Sequence, residues 1–186
     1  MDGTRAARAV RELLAALGED PDREGLRDTP ERVAEAYAHL FSGLREDPTQ
    51  HLEGGFDEAA RDLVFIRDVP LVSTCEHHLL PFTGKAHLGY LPNGRVAGFS
   101  ELVRVVVGYA RRPQLQERLT AQVADALYGS LGSLGSIVVI EATHTCMTAR
   151  IAETTGSRAV TVAARGVFEE DAARRAEVLA LLARGG

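Results

Sequence analysis

Four consecutive positions, Cys75-Glu76-His77-His78, carry a thiol, a carboxylate and two imidazoles. An apolar, β-branched run from Leu63 to Val72 precedes them and Pro81 follows, so the cluster reads as a strand end turning into a loop. Cys75 and His78 have the C-x-x-H spacing that lets two side chains converge on one zinc ion. Cys146, in His144-Thr145-Cys146-Met147, offers a third ligand. Two thiolates and one imidazole leave a fourth position open to water, the pattern of a catalytic zinc site rather than a closed structural one. The chain has only these two cysteines, so a single disulfide would also use both, and either could be a buried apolar residue. The start Met-Asp-Gly-Thr-Arg carries no apolar signal segment, which points to the cytoplasm rather than an oxidising compartment. That both cysteines sit beside histidines favours the metal.

Other side chains around these motifs are suited to moving protons and holding a ligand. In an extended segment His77 faces away from its ligand neighbours and is free to carry protons near neutral pH. His144, two residues before Cys146, would share its face in a strand and stand beside the metal or its target. Gln116 and Glu117 open a predicted helix, where a carboxylate can accept paired N–H donors such as N1–H and N2–H of a guanine edge. Arg104, Arg111, Arg112 and Arg150 are candidate phosphate ligands. Lys85 is the one lysine in the chain, so any phosphate must be gripped mainly by guanidinium groups, which offer paired planar hydrogen bonds.

The elements that must position these groups follow from periodicity. Val10, Leu13, Leu14 and Leu17 share a helical face over residues 4–17, which Gly18 to Pro21 ends. Thr29-Pro30 starts a second helix, with Thr29 as cap, running to about Ser42. Residues 45–60 are polar and read as a linker. Strands follow from Leu63, and Pro92-Asn93-Gly94 turns a hairpin from Lys85–Tyr90 into Arg95-Val96-Ala97. Ser100 can cap a helix bearing Leu102, Val103, Val106 and Val107. Pro113 breaks it before a helix that buries Leu115, Leu119, Val123, Ala126 and Leu127. Ile137–Ile140 is an apolar strand, Met147–Ala152 with Arg158–Val167 a closing hairpin, and Asp171–Ala183 a last helix. The order predicts an α+β chain with a mainly antiparallel sheet, divided into an N-terminal helical region and linker (1–60) and a catalytic domain (61–186).

At 186 residues and 45% hydrophobic, the chain is long enough for one domain with a substantial core. It has no apolar run long enough to span a membrane, and its net charge of −5 disfavours nonspecific nucleic-acid binding.

Taken together, S-T-C-E-H-H-L-L-P-F-T-G-K-A-H-L-G-Y-L-P-N-G-R-V, A-R-R-P-Q-L-Q-E-R-L-T and H-T-C-M-T-A-R resemble the GTP cyclohydrolase I family from about Thr29 to Phe168. The resemblance implies a tunnelling fold (T-fold), whose sheets join across subunits into the barrel of a homodecamer, and zinc held by Cys75, His78 and Cys146. It implies hydrolytic opening of the guanine imidazole ring of GTP at C8, formate loss, and rearrangement to 7,8-dihydroneopterin triphosphate. Glu117 would anchor the guanine edge with Gln116 close by. His144 would protonate the ring nitrogen, His77 would handle protons around the ribose, and Ser100 would assist the sugar steps. Arg104 and Arg150 would hold phosphates.

One departure stands at the phosphate end. The family pattern Gly-Leu-Ser-Lys reads Gly98-Phe99-Ser100-Glu101 here, an anion where the family's cation contacts the triphosphate. At an effective dielectric near 20, one charge pair about 4 Å apart is worth roughly 4 kcal/mol, about three decades of affinity. Ile151 also replaces a usual glycine after Arg150, and the stretch Ser157–Ala163 loses part of a threonine-rich pattern. Three readings follow. One is a GTP cyclohydrolase I with a re-wired phosphate grip. Another is a divergent cyclohydrolase with altered nucleotide preference in a specialised pterin or deazapurine pathway. The third is a zinc-bearing ring protein without turnover, against which the presence of Cys75, His78, Cys146, His77, His144 and Glu117 argues.

Overall fold

The structure, a computed structural model, describes residues 1–183; residues 184–186, the end of the expected catalytic domain, lie outside it. In chain order the elements are α1 (Gly3–Ala16), α2 (Thr29–Leu40), β1 (Phe56–Asp57), β2 (Val64–Cys75), β3 (Pro81–Leu91), β4 (Arg95–Val96) and α3 (Phe99–Ala110). They continue with β5 (Pro113–Gln114), α4 (Gln116–Gly129), β6 (Gly135–His144), α5 (Thr145–Thr148), β7 (Ala159–Gly166), α6 (Val167–Glu170) and α7 (Ala172–Ala183). The main sheet has the order β5-β2-β3-β6-β7. All its pairings are antiparallel except the short parallel contact of β5 with β2. Two antiparallel strand pairs with two helices between them are the α+β arrangement expected of a tunnelling-fold chain.

Alternation decides which face of the sheet is covered. Ala86, Leu88 and Tyr90 of β3, with Val138, Ile140 and Ala142 of β6, pack against Leu102, Val105 and Val106 of α3 and Leu119, Val123 and Leu127 of α4. A smaller cluster on Ile137, Phe168 and Val178, with Leu63, Phe65 and Leu91 packed against it, closes the other face at one end under α6 and α7. Asp171 accepts the N–H groups of Ala173 and Arg174 and so caps α7. β7 lies at the edge of the sheet with Val160 and Val162 exposed.

Several local expectations are corrected by non-local partners. The turn after β3 forms, with Gly94 at φ 84°, but β4 pairs with β1 and not with β3. β3 is central and both of its edges are taken, by β2 and β6, so no ladder position remains for a returning strand. Met147–Ala152 is not half of a hairpin; the closing pair is β6 with β7, and Thr145–Thr148 coils into a helical turn. A 3-10 turn, Ser42–Arg45, leads into the polar stretch 45–60, a second, Pro48–Leu52, lies within it, and Leu52 is wholly buried in the main core. α2 begins at Thr29 with no side-chain cap, and α3 begins at Phe99, so Ser100 lies inside the helix instead of capping it.

β2 carries an irregularity between Ile66 and Val69, where Asp68 adopts φ 58°. Lys85 Nζ holds the Asp68 carboxylate at 2.7 Å, and the Asp68 N–H donates to His87 Nδ1 at 3.2 Å. His87 is 6% exposed, and burial holds its imidazole below the ordinary value, against the pull of Asp68 and Glu141. The unfolded chain therefore binds the proton more readily. The stability tied to neutral His87 is present above about pH 6.5 and lost as pH falls through the lower folded value. Urea unfolding at descending pH should show this loss of stability, and His87→Gln, which keeps an acceptor for Asp68, should reduce its slope.

Candidate metal centre and its surroundings

Three separate stretches meet at one end of the sheet. Cys75 closes β2, and the chain then turns through Glu76, His77 and His78 instead of staying extended. The turn is held by backbone bonds, Cys75 N–H to Leu80 O and Leu79 N–H to Cys75 O, each 2.9 Å. Leu79 supplies the left-handed residue, φ 53°. Glu76 N–H donates to Gln114 O of β5 at 3.0 Å, and Tyr37 Oη of α2 donates to Leu79 O at 3.3 Å. The Glu76 carboxylate takes a two-pronged grip from Arg118 of α4, which pulls its pKa below the usual carboxylate value. Neither the Glu76–Arg118 pair nor the β5 latch is visible in the sequence. Both residues lie inside quoted motifs, but their pairing is tertiary.

β6 brings the third ligand. His144 stands opposite Phe82 in the β3–β6 register, and the helical turn that follows swings Cys146 inward, 5% exposed. The expected same-face relation of His144 and Cys146 through strand alternation therefore does not hold; the turn places the thiol. One ligand atom each from Cys75, His78 and Cys146 falls within 4.8 Å of the others, and Cys75 Sγ is 3.8 Å from His78 Nδ1. Both cysteines are free thiols. Tetrahedral zinc with Zn–S bonds of about 2.3 Å separates two sulfurs by about 3.8 Å, so the cluster fits such an ion with small adjustments. Two sulfurs and an imidazole form a soft donor set. Burial, and then the adjoining Cys75, push the Cys146 thiol up, an opposition that a bound cation relieves.

His144 is stacked on Phe82, centroids 4.5 Å apart and rings 10° from parallel. Its Nε2 lies 2.8 Å from Gln116 Oε1. Burial lowers the His144 pKa, while Glu117 pulls it up. Gln116 is 3% exposed, whereas Glu117, beside it in the first turn of α4, is exposed. Glu117 lines a cavity of about 590 Å³ with Thr120, Thr161 and Arg165. His77 is exposed and stands edge-on to His78, centroids 6.2 Å apart. Arg150 Nε donates to Cys146 O at 2.7 Å, and its Nη2 lies 3.2 Å from His78 Nε2, so this arginine sits against the ligand cluster. Ser100 and Arg104 are exposed on α3. Among the described residues, no hydrogen bond or ion pair joins either of them to the ligands. Glu101 folds back, its Oε2 accepting the Gly98 N–H at 2.8 Å, and so caps α3.

One end of this antiparallel α+β sheet thus gathers two thiols and an imidazole that could hold a metal ion, beside an amide-held histidine. The sequence matches the family described as GTP cyclohydrolase I over residues 6–183, and the chain belongs to that family. The protein named GTP cyclohydrolase 1 from Carboxydothermus hydrogenoformans is 56% identical over 175 residues, covering 94% of this chain and 91% of its own length. Those of Corynebacterium aurimucosum and Mycolicibacterium vanbaalenii are 55% identical over 183 residues and 56% identical over 185, covering 97% and 98% of this chain and 93% and 92% of theirs. A solved structure, the archaeosine synthase QueF-Like in the apo form, is 19% identical with TM-score 0.46 over 56% of this chain and 93% of that one. No helix among the described residues is long and apolar enough to cross a membrane.

Proposed function

We propose that this chain is a zinc-dependent GTP cyclohydrolase I that opens the guanine imidazole ring of GTP, releases formate and forms 7,8-dihydroneopterin triphosphate. The observation that carries the reading is the convergence of Cys75, His78 and Cys146 within 4.8 Å, in a member of this family. These three residues would hold Zn2+, which when bound supplies Lewis acidity and lowers the pKa of water at neutral pH. Glu117, exposed and in no ion pair among the described residues, accepts N1–H and N2–H of the guanine edge. His144 handles the proton at the ring nitrogen, and exposed His77 handles those around the ribose. Ser100 assists the sugar steps. Arg150 and Arg104 hold phosphates. The division into residues 1–60 and a catalytic domain from 61 belongs to this proposal, with Leu52 reaching into the shared core. So do a cytoplasmic location and assembly into a homo-oligomer, a decamer, for which the open edge of β7 with exposed Val160 and Val162 speaks.

The test is to add GTP to zinc-loaded protein and follow formate together with the fluorescence of the oxidised pterin. Both products support the whole reaction. Formate alone would confine activity to ring opening, and neither product with zinc bound would overturn the reading.

Glu101 favours a second reading, altered nucleotide preference. Its carboxylate is held at the start of α3, where a helix N-terminus otherwise attracts phosphate. Glu101→Lys should cost about 0.5–1.5 kcal/mol of stability through the lost cap, read by urea unfolding. It should also tighten GTP binding, read by calorimetry. Unchanged or weaker binding would show that this carboxylate has no part in nucleotide choice.

A further inference from the structure

Gln116 is the most heavily committed polar side chain near the site, and its hydrogen bonds admit one direction only. Its Nε2 lies 3.0 Å from Ile140 O and 3.0 Å from Ala159 O. Carbonyl oxygens only accept, so the amide nitrogen must be on that side. The same nitrogen is 3.1 Å from Thr161 Oγ1. The Thr120 hydroxyl donates to the Gln116 carbonyl oxygen at 2.7 Å. At the 2.6 Å contact of Thr120 with Thr161 the donor must therefore be Thr161, which leaves the Thr161 oxygen as an acceptor for the amide. Turning the amide over would set its oxygen against two carbonyl oxygens in a place 3% exposed, a cost no water can relieve.

With the nitrogen fixed, Oε1 of Gln116 faces His144 Nε2 at 2.8 Å. An amide oxygen has no proton to give, so the Nε2 proton belongs to His144. The ring plane is fixed independently by Phe82, which is fully buried and stacked upon it. Among the described residues no hydrogen bond reaches Nδ1.

We propose that Gln116 is a positioning residue: anchored on Ile140 O and Ala159 O, its amide oxygen holds the His144 ring through Nε2–H and leaves Nδ1 as the nitrogen turned to the substrate. The inference rests on the cyclohydrolase reading only for the identity of that substrate. It also leaves Gln116 no amide hydrogen for the substrate, because the two already face three acceptors.

The test has two parts on the zinc-loaded protein. The first, without GTP, is the 15N spectrum of histidine-labelled protein near neutral pH, with the His144 signals assigned by their loss in His144→Asn. A protonated Nε2 and an unprotonated Nδ1 are expected, and the opposite tautomer would overturn the proposal. This part needs no activity, so it stands even if GTP is not turned over, a result that would instead overturn the cyclohydrolase reading. The second compares Gln116→Met, which keeps length and loses the amide. The Nε2–H signature should give way to a mixture, and kcat should fall on the order of tenfold to a hundredfold, with KM for GTP and zinc content little changed. An unaltered tautomer, or a raised KM at full kcat, would show Gln116 to be something other than a positioning residue.

Discussion

Cys146→Ala is expected to abolish formate release from GTP and to strip the protein of zinc, while leaving the fold in place. The thiol is 5% exposed and has Cys75 and His78 within 4.8 Å, so its loss reduces three converging donors to two. A cation held by two protein ligands is bound far less firmly than one held by three, and the Lewis acidity it would supply to the proposed reaction would go with it. Zinc content by atomic emission and circular dichroism of the same sample separate loss of metal from loss of fold. Full activity in this variant would sink the proposed mechanism outright, since Cys75, His78 and Cys146 are the one group of three or more such side chains that could hold a metal among the described residues.

Glu117→Gln is expected to leave zinc in place and to lower kcat/KM for GTP about a hundredfold or more. A carboxylate can accept both N–H groups of a guanine edge, and each such bond to a charged partner is worth roughly 1.5–3 kcal/mol. The amide replaces one acceptor by a donor, which then faces a donor on the base. An inosine nucleotide lacks the exocyclic amine and should discriminate less between wild type and variant. If GTP turnover in Glu117→Gln stays near wild type, the base is read by other groups, and the 590 Å³ cavity beside Thr120 and Thr161 loses its claim on the purine.

Much of this was legible in the chain because it was local. Val10, Leu13 and Leu17 mark α1 through a three-four spacing that needs no partner, and Cys75 with His78 is a metal half-site within one turn of chain. Partner choice was not legible. Arg95-Val96 after a Pro-Asn-Gly turn looks like the second arm of a hairpin, yet it pairs with Phe56-Asp57 because β2 and β6 occupy both edges of β3. Gln116 read as a substrate contact at a helix start. Its burial depends on β7 running over it, and nothing in residues 110–120 records that. Leu52 sat in a polar stretch and still reached the core, since one apolar side chain gives no periodicity to detect. Glu101 was conspicuous as a charge reversal, but its bond to Gly98 depends on where α3 begins, a boundary the sequence placed too late.

The backbone latches on the Cys75–His78 turn carry a consequence for the order in which the protein comes into being. The turn is secured to Leu80 within its own hairpin, so the first two donors can be arranged as soon as β2 and β3 have met. Cys146 arrives only once β6 has zipped along β3 from Leu91–Gly135 to Phe82–His144. α3 and α4 separate the first two donors from the third in the chain, so an ion could meet all three only with the β3–β6 ladder paired. Ion affinity and sheet pairing would then be linked: whatever frays the His144 end of β6 would loosen a bound metal, and a bound metal would hold that end of the sheet together.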